Sequence, residues 1–568
     1  MRKLTVIVTL LCVAPLPSAA GAAAGGGAPL RWVERTLASM TLDEKIGQMI
    51  MGGTGLQTFR NPDSDDYTKM RHDVVDLHLG GYHVHGGDPS AVALMINELQ
   101  RSAKVPLLIA DNFEGGAGWV FQGATRFPMG MALGATDNPQ YAYEVGKITA
   151  EEGRAIGVNV NFYPVADVNN NPGNPIINIR SFGENPERVS AFVREYIRGA
   201  QENGQIATAK HFPGHGDVAT DSHLQMPVLD VSRDRLEHLE LPPFRAAVDE
   251  NVAAVMTAHI DVPSVEPEKG LPSTLSRNVI TGILRDELHF AGVVFTDSMG
   301  MRGITANFTE EDASVRAVLA GADVVLGPPS TDVAFNAIKS AVQSGKIAMS
   351  RIDDSVRRIL TAKARIGLDR YKPVDVNRLA AVVGTKAHRD LAQEITEASV
   401  TLVRDEQHVL PLAPGAKRVL HINLLDSRSG WREGPVGKVT SAEMLKRFPN
   451  AITIQLDDTS NRNELDMARE MAGLVDAVVV TAFIRVAAYK GSIDLAPEQV
   501  RFLRDLSAMK TPFVFALFGS PYVIHHIPEL PSYILTYDTS PASELAAIKA
   551  ITGEIPFRGK LPITLPVR

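Results

Sequence analysis

The sequence predicts an α/β protein, a (β/α)8 TIM-like barrel followed by a three-layer α/β/α sandwich domain. Three observations support this prediction. Short apolar runs alternate with amphipathic helical stretches over almost the whole chain, which is typical of parallel sheets. The chain has 568 residues, too many for one hydrophobic core. Eight of the apolar runs precede a break near residue 370, and the others follow it.

The first residues resemble a secretory signal. Arg2 and Lys3 precede a short apolar run, and small residues follow it up to Gly27. The run is too short for a transmembrane span, although a retained anchor is the alternative. We therefore expect residues 1–27 to be a signal peptide. The protein would be exported to the periplasm or beyond the cell, with no stable membrane span after cleavage.

Composition excludes several classes of function. The only cysteine, Cys12, lies in the predicted signal segment, so the mature chain would have no cysteine nucleophile, iron–sulfur cluster or cysteine-bound zinc. The net charge of −8 gives no reason to expect nucleic acid or an anionic membrane as a partner. No nucleotide-binding fingerprint stands out, and the sequence predicts no cofactor and no metal.

Residues 28–370 are predicted to form the barrel. The helical stretches between its strands include Ala91–Ser102, Pro186–Glu202 and Leu236–Asn251. The candidate strands are Ile46–Gly53, Gly80–His85, Val105–Asn112, Gly157–Asp167, Gly204–Phe212, Ala253–Asp261, Gly292–Asp297 and Ala322–Gly327. Barrel enzymes carry their chemistry at the carboxyl ends of the strands. Polar side chains lie at those ends: Asp111, Asn112, Asp167, Lys210, His211, His259 and Asp297.

A second alternating region follows. Residues 371–398 are predicted to be a linker and a connecting helix, Thr385–Ala398, and residues 399–568 a C-terminal α/β/α domain. Its candidate strands are Val400–Arg404, Arg418–Leu424, Ala451–Leu456, Ala477–Phe483, Pro512–Phe518 and Ser532–Tyr537. Its candidate helices are Ser441–Arg447, Asn463–Leu474, Pro497–Ala508 and Ala542–Ile551.

The segment 210–223 has the highest density of titratable groups. It holds one Lys, three His and two Asp directly after an apolar strand. One interpretation is a zinc site made by His211, His215 and His223 with nearby aspartates. Two facts oppose it: glycines and a proline prevent a helical His pair, and Lys210 would repel a cation. The other interpretation is a loop that binds sugar and transfers protons.

The second interpretation draws on Asp297, which ends an apolar strand. Retaining glycosidases need a carboxylate that attacks the anomeric carbon and an acid that protonates the leaving oxygen. His223 can be that acid, because Asp221 lies two residues before it and points the same way in an extended segment. A carboxylate at one ring nitrogen fixes the tautomer and favours the protonated form. An exposed loop with an incidental Asp–His pair is the alternative.

Long ordered motifs resemble glycoside hydrolase family 3, in its β-N-acetylglucosaminidase branch. Lys210-His-Phe-Pro-Gly-His-Gly with Asp221-Ser-His223 is similar to that branch's signature. Further segments also resemble the family: Ile177-Asn-Ile-Arg180-Ser-Phe-Gly-Glu-Asn-Pro, Glu114-Gly-Gly, Phe295-Thr-Asp297-Ser-Met and the tail Gly559-Lys-Leu-Pro-Ile-Thr-Leu-Pro. The resemblance extends from about Leu42 to the end of the sequence.

The resemblance implies a role for each matching residue. Asp297 corresponds to the catalytic nucleophile, His223 to the acid/base and Asp221 to its partner. Arg180, Lys210 and His211 correspond to residues that hold the hydroxyls of the terminal sugar. One departure concerns the position two residues before Glu114, where the family usually has Asp and this chain has Asn112. Either Asn112 or the preceding Asp111 would then contact the sugar.

The implied function is a retaining, exo-acting glycoside hydrolase that releases terminal β-N-acetylglucosamine, through a covalent glycosyl-aspartate. The substrate would be an oligosaccharide derived from peptidoglycan or chitin. A family 3 β-glucosidase or β-xylosidase is the alternative within the family, and its members usually lack the Asp-Ser-His loop. A non-catalytic glycan-binding protein of the cell wall is the alternative of another class.

Overall fold

The computed structural model describes residues 27–54, 65–415, 417–426, 436–491 and 493–565. The predicted signal peptide therefore lies outside the described residues, apart from Gly27, where the first helix begins. Within the described part of the chain, no helix combines the length and the apolar character needed to cross a bilayer.

The first sheet is an eight-stranded parallel barrel, as predicted. Its strands are β1 Ile50–Thr54, β2 Gly81–Val84, β3 Leu108–Asp111, β4 Val160–Asn161, β5 Ile206–Phe212, β6 Ala254–Thr257, β7 Val293–Phe295 and β8 Val325–Leu326. Their spatial order is β7-β6-β5-β4-β3-β2-β1-β8. A bridge between Phe295 and Val324 joins the two ends of this sheet and closes the ring. All eight carboxyl ends consequently lie at one mouth.

Helices surround the barrel. They are Gly27–Ser39, Leu42–Gln48, Asp65–Val75, Pro89–Ser102, Gly130–Ala135, Pro139–Ile156, Pro186–Glu202, Arg233–Arg235, Pro242–Asp249, Arg302–Thr305, Glu310–Ala320, Thr331–Gln343 and Met349–Arg365, with π-helical stretches at Leu236–Glu240 and Asn278–Glu287. The helix predicted at Leu236–Asn251 is thus divided. Pro242 and Pro243 provide no backbone N–H, so an unbroken helical hydrogen-bond ladder cannot pass through them.

The observed barrel strands are shorter than the predicted runs, and two of them show the physical reason. The run Ile46–Gly53 begins in a helix, Leu42–Gln48, because Thr41 and Glu44 form a capping box at its start. The apolar run Gly157–Asp167 forms a strand only over Val160–Asn161, with one further bridge from Val165 to Lys210. Nearly all of its other residues are buried outside any strand, and an apolar buried run does not by itself show where a strand begins or ends.

The second sheet has six strands and confirms the predicted three-layer domain. They are β9 Thr401–Asp405, β10 Val419–Leu425, β11 Ile452–Asp457, β12 Ala477–Ile484, β13 Phe513–Gly519 and β14 Ser532–Leu535. The order is β11-β10-β12-β13-β14-β9, with only β9 antiparallel to its neighbour among these strands. Helices Leu379–Val382 and Lys386–Ser399 lead into it. Helices Lys438–Arg447, Arg462–Ala472, Pro497–Ser507 and Pro541–Ile551 cover its faces.

Both faces of the second sheet are apolar. Along β12, Val478, Val480 and Ala482 belong to one core cluster, and the alternate residues Val479 and Phe483 belong to another. This alternation follows from the two-residue period of a strand. A sheet buried on both sides must be covered by helices on both sides, which gives the α/β/α layers.

The two sheets are connected by direct contacts. Met129, Met131 and Ile179 from the barrel region share a core cluster with Ile563 and Leu565 from the end of the described chain. An ion pair joins the Arg126 guanidinium to the Asp538 carboxylate at 2.9 Å. The Asn169 amide donates to the Tyr522 hydroxyl at 2.9 Å. These contacts border the barrel mouth, so the second domain lies beside it. The predicted boundaries at residues 370 and 399 stay a prediction.

Candidate active site

A buried ionic cluster lies at the barrel mouth. Arg180 donates from Nε and Nη2 to the two oxygens of Glu114, each at 2.8 Å, which is a bidentate pair. Lys210 Nζ lies 2.8 Å from Glu114 Oε1. Burial would raise the pKa of Glu114, but these two cations hold it far below its usual range. Glu114 therefore stays ionised and fixes two of the predicted sugar-binding side chains.

His211 is held by a second carboxylate. Its Nδ1 lies 2.7 Å from Asp167 Oδ2, and Asp167 Oδ1 accepts the backbone N–H groups of His211 at 3.2 Å and His215 at 2.7 Å. Asp167 is fully buried, and ionic bonding outweighs burial, so its pKa is lowered. The Arg180 guanidinium lies 3.4 Å from His211 Nε2. Because Arg only donates, the ring proton belongs on Nδ1.

The structure separates the two candidates at the end of β3. Asn112 Oδ1 accepts from Lys210 Nζ at 3.0 Å, so Asn112 joins the ionic cluster. The carboxylate of Asp111 instead accepts the backbone N–H groups of Gly86 at 3.0 Å and Asn112 at 2.7 Å. Of these two residues, Asn112 is therefore the one that lies beside the predicted sugar-binding residue Lys210.

Asp297 follows β7 and is half-buried. Its Oδ1 accepts the Ser298 N–H at 2.7 Å. Burial alone would raise the pKa of this carboxyl. The neighbouring imidazoles of His259, His211 and His223, together with the hydrogen bond from the Ser298 N–H, favour the carboxylate and lower that pKa to about 2. Asp297 is therefore ionised at neutral pH.

His259 supports the backbone next to Asp297. Its Nε2 donates to the Ser298 carbonyl at 2.9 Å, and its Nδ1 lies 2.8 Å from Thr274 Oγ1. The ring is fully buried, and burial lowers its pKa. The sequence placed His259 at a strand end without choosing between a core and a pocket position. Here it touches the peptide that follows Asp297.

His223 and Asp221 form the predicted pair. His223 Nδ1 lies 2.7 Å from Asp221 Oδ1, which also accepts the His223 backbone N–H at 2.9 Å. The imidazole remains partly exposed, with 22% of its side-chain surface accessible, while the Asp221 side chain is covered. Burial would raise the pKa of Asp221, but its hydrogen bonds to His223 and the His223 charge lower it.

The second domain completes this pair. Tyr489, in the segment after β12, donates its backbone N–H to Asp221 Oδ2 at 2.8 Å. Its ring lies 4.9 Å from the His223 ring, centroid to centroid, at 65°. Sequence reasoning did not single out Tyr489, and it noted Asp167 at a strand end and Glu114 in a family motif without giving either a role. Only the last two carried a signal, since each is an acidic residue in or after a buried run.

The predicted site residues converge. The charge of Asp297, just after β7, acts on Arg180 and Lys210 as well as on the histidines. Groups on β5 and on the segments that carry Arg180 and Asp297 therefore lie close enough to interact electrostatically. Burial lowers the pKa of Lys210 in spite of Glu114. Asp111 lies at the rim, where its carboxylate accepts the backbone N–H groups of Gly86 and Asn112 and lies 3.8 Å from His83 Nε2.

The zinc alternative for segment 210–223 does not match this geometry. His211 and His223 each bond a different aspartate, and the His215 ring meets the His211 ring edge-on at 5.9 Å. Within the described ranges, the side chains grouped closely enough to hold a metal are His83, His85 and Asp111, at the ends of β2 and β3.

Comparison with known proteins identifies the family. The model of the glycosyl hydrolase family 3 N-terminal domain matches residues 41–362. The chain belongs to glycosyl hydrolase family 3. The predicted family is thereby confirmed, and with it the prediction of a glycoside hydrolase with a TIM barrel and an α/β sandwich.

Relatives of this family 3 chain match over nearly its whole length. A protein named beta-N-acetylglucosaminidase/beta-glucosidase from Cellulomonas fimi is 30% identical over 94% of this chain and 95% of its own length. A solved family 3 beta-N-acetylglucosaminidase from Paenibacillus sp. str. FPU-7 superposes with a TM-score of 0.82 at 35% identity, covering 93% of this chain and 100% of that one. A solved beta-glucoside phosphorylase, BglX, reaches 0.83 at 28% identity, covering 94% and 96%.

Proposed function

We propose that this family 3 enzyme releases terminal β-linked N-acetylglucosamine from oligosaccharides by a retaining mechanism. The observation that supports this most is the His223–Asp221 pair, bonded at 2.7 Å, whose charge acts on Asp297. An imidazole acid opposite a carboxylate nucleophile provides both groups that glycosyl transfer requires. Relatives named β-N-acetylglucosaminidase and β-hexosaminidase support the same sugar.

The first half-reaction uses both groups at once. An Asp297 carboxylate oxygen forms a bond to the anomeric carbon while the bond from that carbon to the leaving oxygen breaks. The His223 imidazolium transfers its Nε2 proton to the leaving oxygen. Asp221 stabilises the imidazolium through Nδ1–H and fixes the ring orientation. The product is a glycosyl-aspartate and a neutral His223.

The second half-reaction reverses these roles. Neutral His223 takes a proton from water, and the water oxygen attacks the anomeric carbon as the bond to Asp297 breaks. Two displacements at one carbon retain its configuration. Arg180, Lys210, His211 and Asn112 would hold the sugar hydroxyls. Donors fixed by buried carboxylates lose little entropy on binding, and charged donors make stronger hydrogen bonds.

The proposal is tested with purified full-length enzyme and its variants. We expect turnover of p-nitrophenyl N-acetylglucosaminide to exceed that of the glucoside and the xyloside, and D297A to lose it. H223A should lose activity on a natural disaccharide but keep much of the glycosylation rate with a dinitrophenyl leaving group, which needs little proton assistance. Wild-type turnover in D297A would refute the mechanism, and a preference for the glucoside or xyloside would refute the sugar assignment.

The acceptor in the second half-reaction has a second candidate. A solved neighbour is titled beta-glucoside phosphorylase, and an imidazole acid/base adds no negative charge that would repel phosphate. Product analysis in high-phosphate buffer distinguishes the two acceptors. Free N-acetylglucosamine supports hydrolysis, whereas a sugar 1-phosphate would mean phosphorolysis.

The predicted export of the enzyme indicates where it would meet its substrates. The Arg2, Lys3 and apolar pattern of residues 1–27 supports export, where fragments of peptidoglycan or chitin would be the substrates. Fractionation of the producing cells should place the enzyme outside the cytoplasm, with its N-terminus shortened. Cytoplasmic enzyme that keeps residues 1–27 would contradict this.

A further inference from the structure

Two histidines and one carboxylate meet at the rim of the barrel mouth, beside the ionic cluster of Glu114. His83 lies on β2, His85 follows it by two residues, and Asp111 ends β3. One ligand atom from each, a ring nitrogen or a carboxylate oxygen, lies within 4.8 Å of the other two. The two imidazole rings lie 4.1 Å apart, centroid to centroid. The proposed hydrolytic mechanism uses neither histidine.

The fold explains why these side chains meet. Strands β2 and β3 are adjacent and parallel, and His83 pairs with Ala110. His85 directly follows β2, and its ring contacts the His83 ring at the carboxyl end of that strand. The Asp111 carboxylate is anchored by the Gly86 and Asn112 N–H groups at 3.0 and 2.7 Å. A carboxylate held by backbone donors presents its oxygens in a fixed direction.

The donor set suits a transition-metal ion. Two imidazoles with one carboxylate are ligands that zinc accepts, and three protein ligands leave one position of a tetrahedron for water. His85 is exposed, His83 is half-buried and Asp111 is buried. An ion can therefore enter from solvent on the His85 side and bind the buried Asp111 carboxylate.

The surrounding charges permit a cation. Lys210 is a positive charge that acts on His83, but its Nζ is bonded to Glu114 at 2.8 Å and to Asn112 at 3.0 Å. Asp297 adds a further negative charge that acts on His83. Binding through His83 Nε2 would replace the contact of that atom with the Asn112 amide nitrogen at 3.2 Å.

We propose that His83, His85 and Asp111 bind one Zn²⁺ ion with water as the fourth ligand. The ion would lie next to Asn112 and narrow the edge of the sugar site. Bound Zn²⁺ therefore inhibits the glycosidase, a consequence that rests on the proposed function.

Binding is tested first and without any substrate. Zn²⁺ is titrated calorimetrically into tag-free, chelator-treated full-length enzyme, and Co²⁺ is added separately to record the absorption bands of a tetrahedral site. We expect one equivalent to bind and H83A or H85A to weaken binding about 10–100-fold or more. H238A removes a histidine whose side chain is 78% exposed and serves as the matched control. Wild-type binding no tighter than that of an H83A/H85A double variant would overturn the site.

Inhibition is tested second. With p-nitrophenyl N-acetylglucosaminide, Zn²⁺ should lower wild-type turnover and leave H85A, which should have ordinary basal activity, unaffected. Equal inhibition of both enzymes, or binding without inhibition, would refute the inhibitory role. If the wild type turned over no glycoside at all, the proposed function would fail while the calorimetric result still decided the metal site.

Discussion

Asp297 is positioned through its backbone as well as through its carboxylate. The Ser298 N–H donates to Asp297 Oδ1, and the carbonyl of Ser298 accepts from His259 Nε2. His259 is buried against Thr274, so the peptide after Asp297 cannot turn without breaking this contact. A misplacement of about 1 Å can cost an enzyme about 100-fold in rate. We infer that His259 is a positioning residue.

Replacing His259 by Ala should lower kcat about 10- to 100-fold and change KM little, because the proposed sugar-binding groups stay in place. H259Q keeps a side-chain donor for the Ser298 carbonyl and should recover part of the loss. Steady-state kinetics, with circular dichroism to verify folding, measure both. A change confined to KM, or no difference between H259A and H259Q, would argue against positioning.

The sequence motifs led to the residues that meet at the barrel mouth, but not to the side chains that hydrogen-bond to them. Asp297, His223, Lys210 and Arg180 stand in long ordered motifs, and the structure brings them together. The bond from Asp167 to His211 spans 44 positions, and sequence spacing alone carries no sign of it. Distances between strand ends depend on the closure of the barrel, which no local pattern encodes.

At the scale of elements, the segment after β12 reaches across to the loop after β5. Tyr489 has a backbone φ of +66°, in the left-handed region, and 61% of its surface is exposed. Its N–H bonds Asp221 while its ring lies beside His223. The Tyr489 backbone thus holds Asp221 and its ring packs beside His223, so a substitution that removes only the ring tests the second contact alone.

Tyr489→Gly removes the ring and keeps the N–H, and glycine tolerates the positive φ. Without the ring the His223 imidazole gains freedom, so kcat should fall several-fold for substrates whose leaving group needs a proton. Dinitrophenyl glycosides should be nearly unaffected in glycosylation.

Y489F keeps the ring and is the matched control for that loss. Comparing the two variants on both substrate types measures the effect of the ring alone. Equal activity of Y489G and Y489F on the disaccharide would contradict a contribution from it.

Strand existence was easier to predict than strand limits. All fourteen predicted strands occur, because each is an apolar run between turn residues or helices. The predicted ends of strands and helices were wrong where helix capping or proline determines the local structure. A capping box holds Ile46–Gln48 in a helix, and paired prolines divide Leu236–Asn251. The Tyr489 contact joins two domains and leaves no periodic trace in the sequence.

At the scale of the whole molecule, the end of the barrel opposite the candidate active site contains a buried lysine. Lys363 Nζ donates to Gln48 Oε1 at 2.6 Å, and the Gln48 amide donates to the His78 carbonyl at 2.9 Å. Burial lowers the pKa of Lys363 to about 7. The protonated form of this side chain therefore opposes folding.

Stability of the barrel should consequently increase with pH. Between the folded pKa of about 7 and the ordinary lysine value of about 10.4, the unfolded chain binds one proton more than the folded chain. The free energy of unfolding then rises with pH, by up to about 1.4 kcal/mol per pH unit. Below the folded pKa this dependence disappears, since both states are protonated.

Urea unfolding of the barrel transition, from about pH 7 to about pH 9, measures this increase. K363M should unfold at higher urea than wild type near pH 7 and show a flatter dependence on pH. K346M, at an exposed lysine, is the control and should follow wild type. The same slope in K363M and wild type would assign the pH dependence to other groups.

The hydrogen bond from Tyr489 to Asp221 means that substitutions in the second domain can change the surroundings of the His223–Asp221 pair. If His223 supplies the proton, changes in residues 485–491 alter which aglycones depart readily and leave every barrel side chain intact. Gene duplicates that diverged only in this segment would keep one sugar preference and differ in the glycans they trim. A directed-evolution library limited to those seven codons would search the same space in the laboratory.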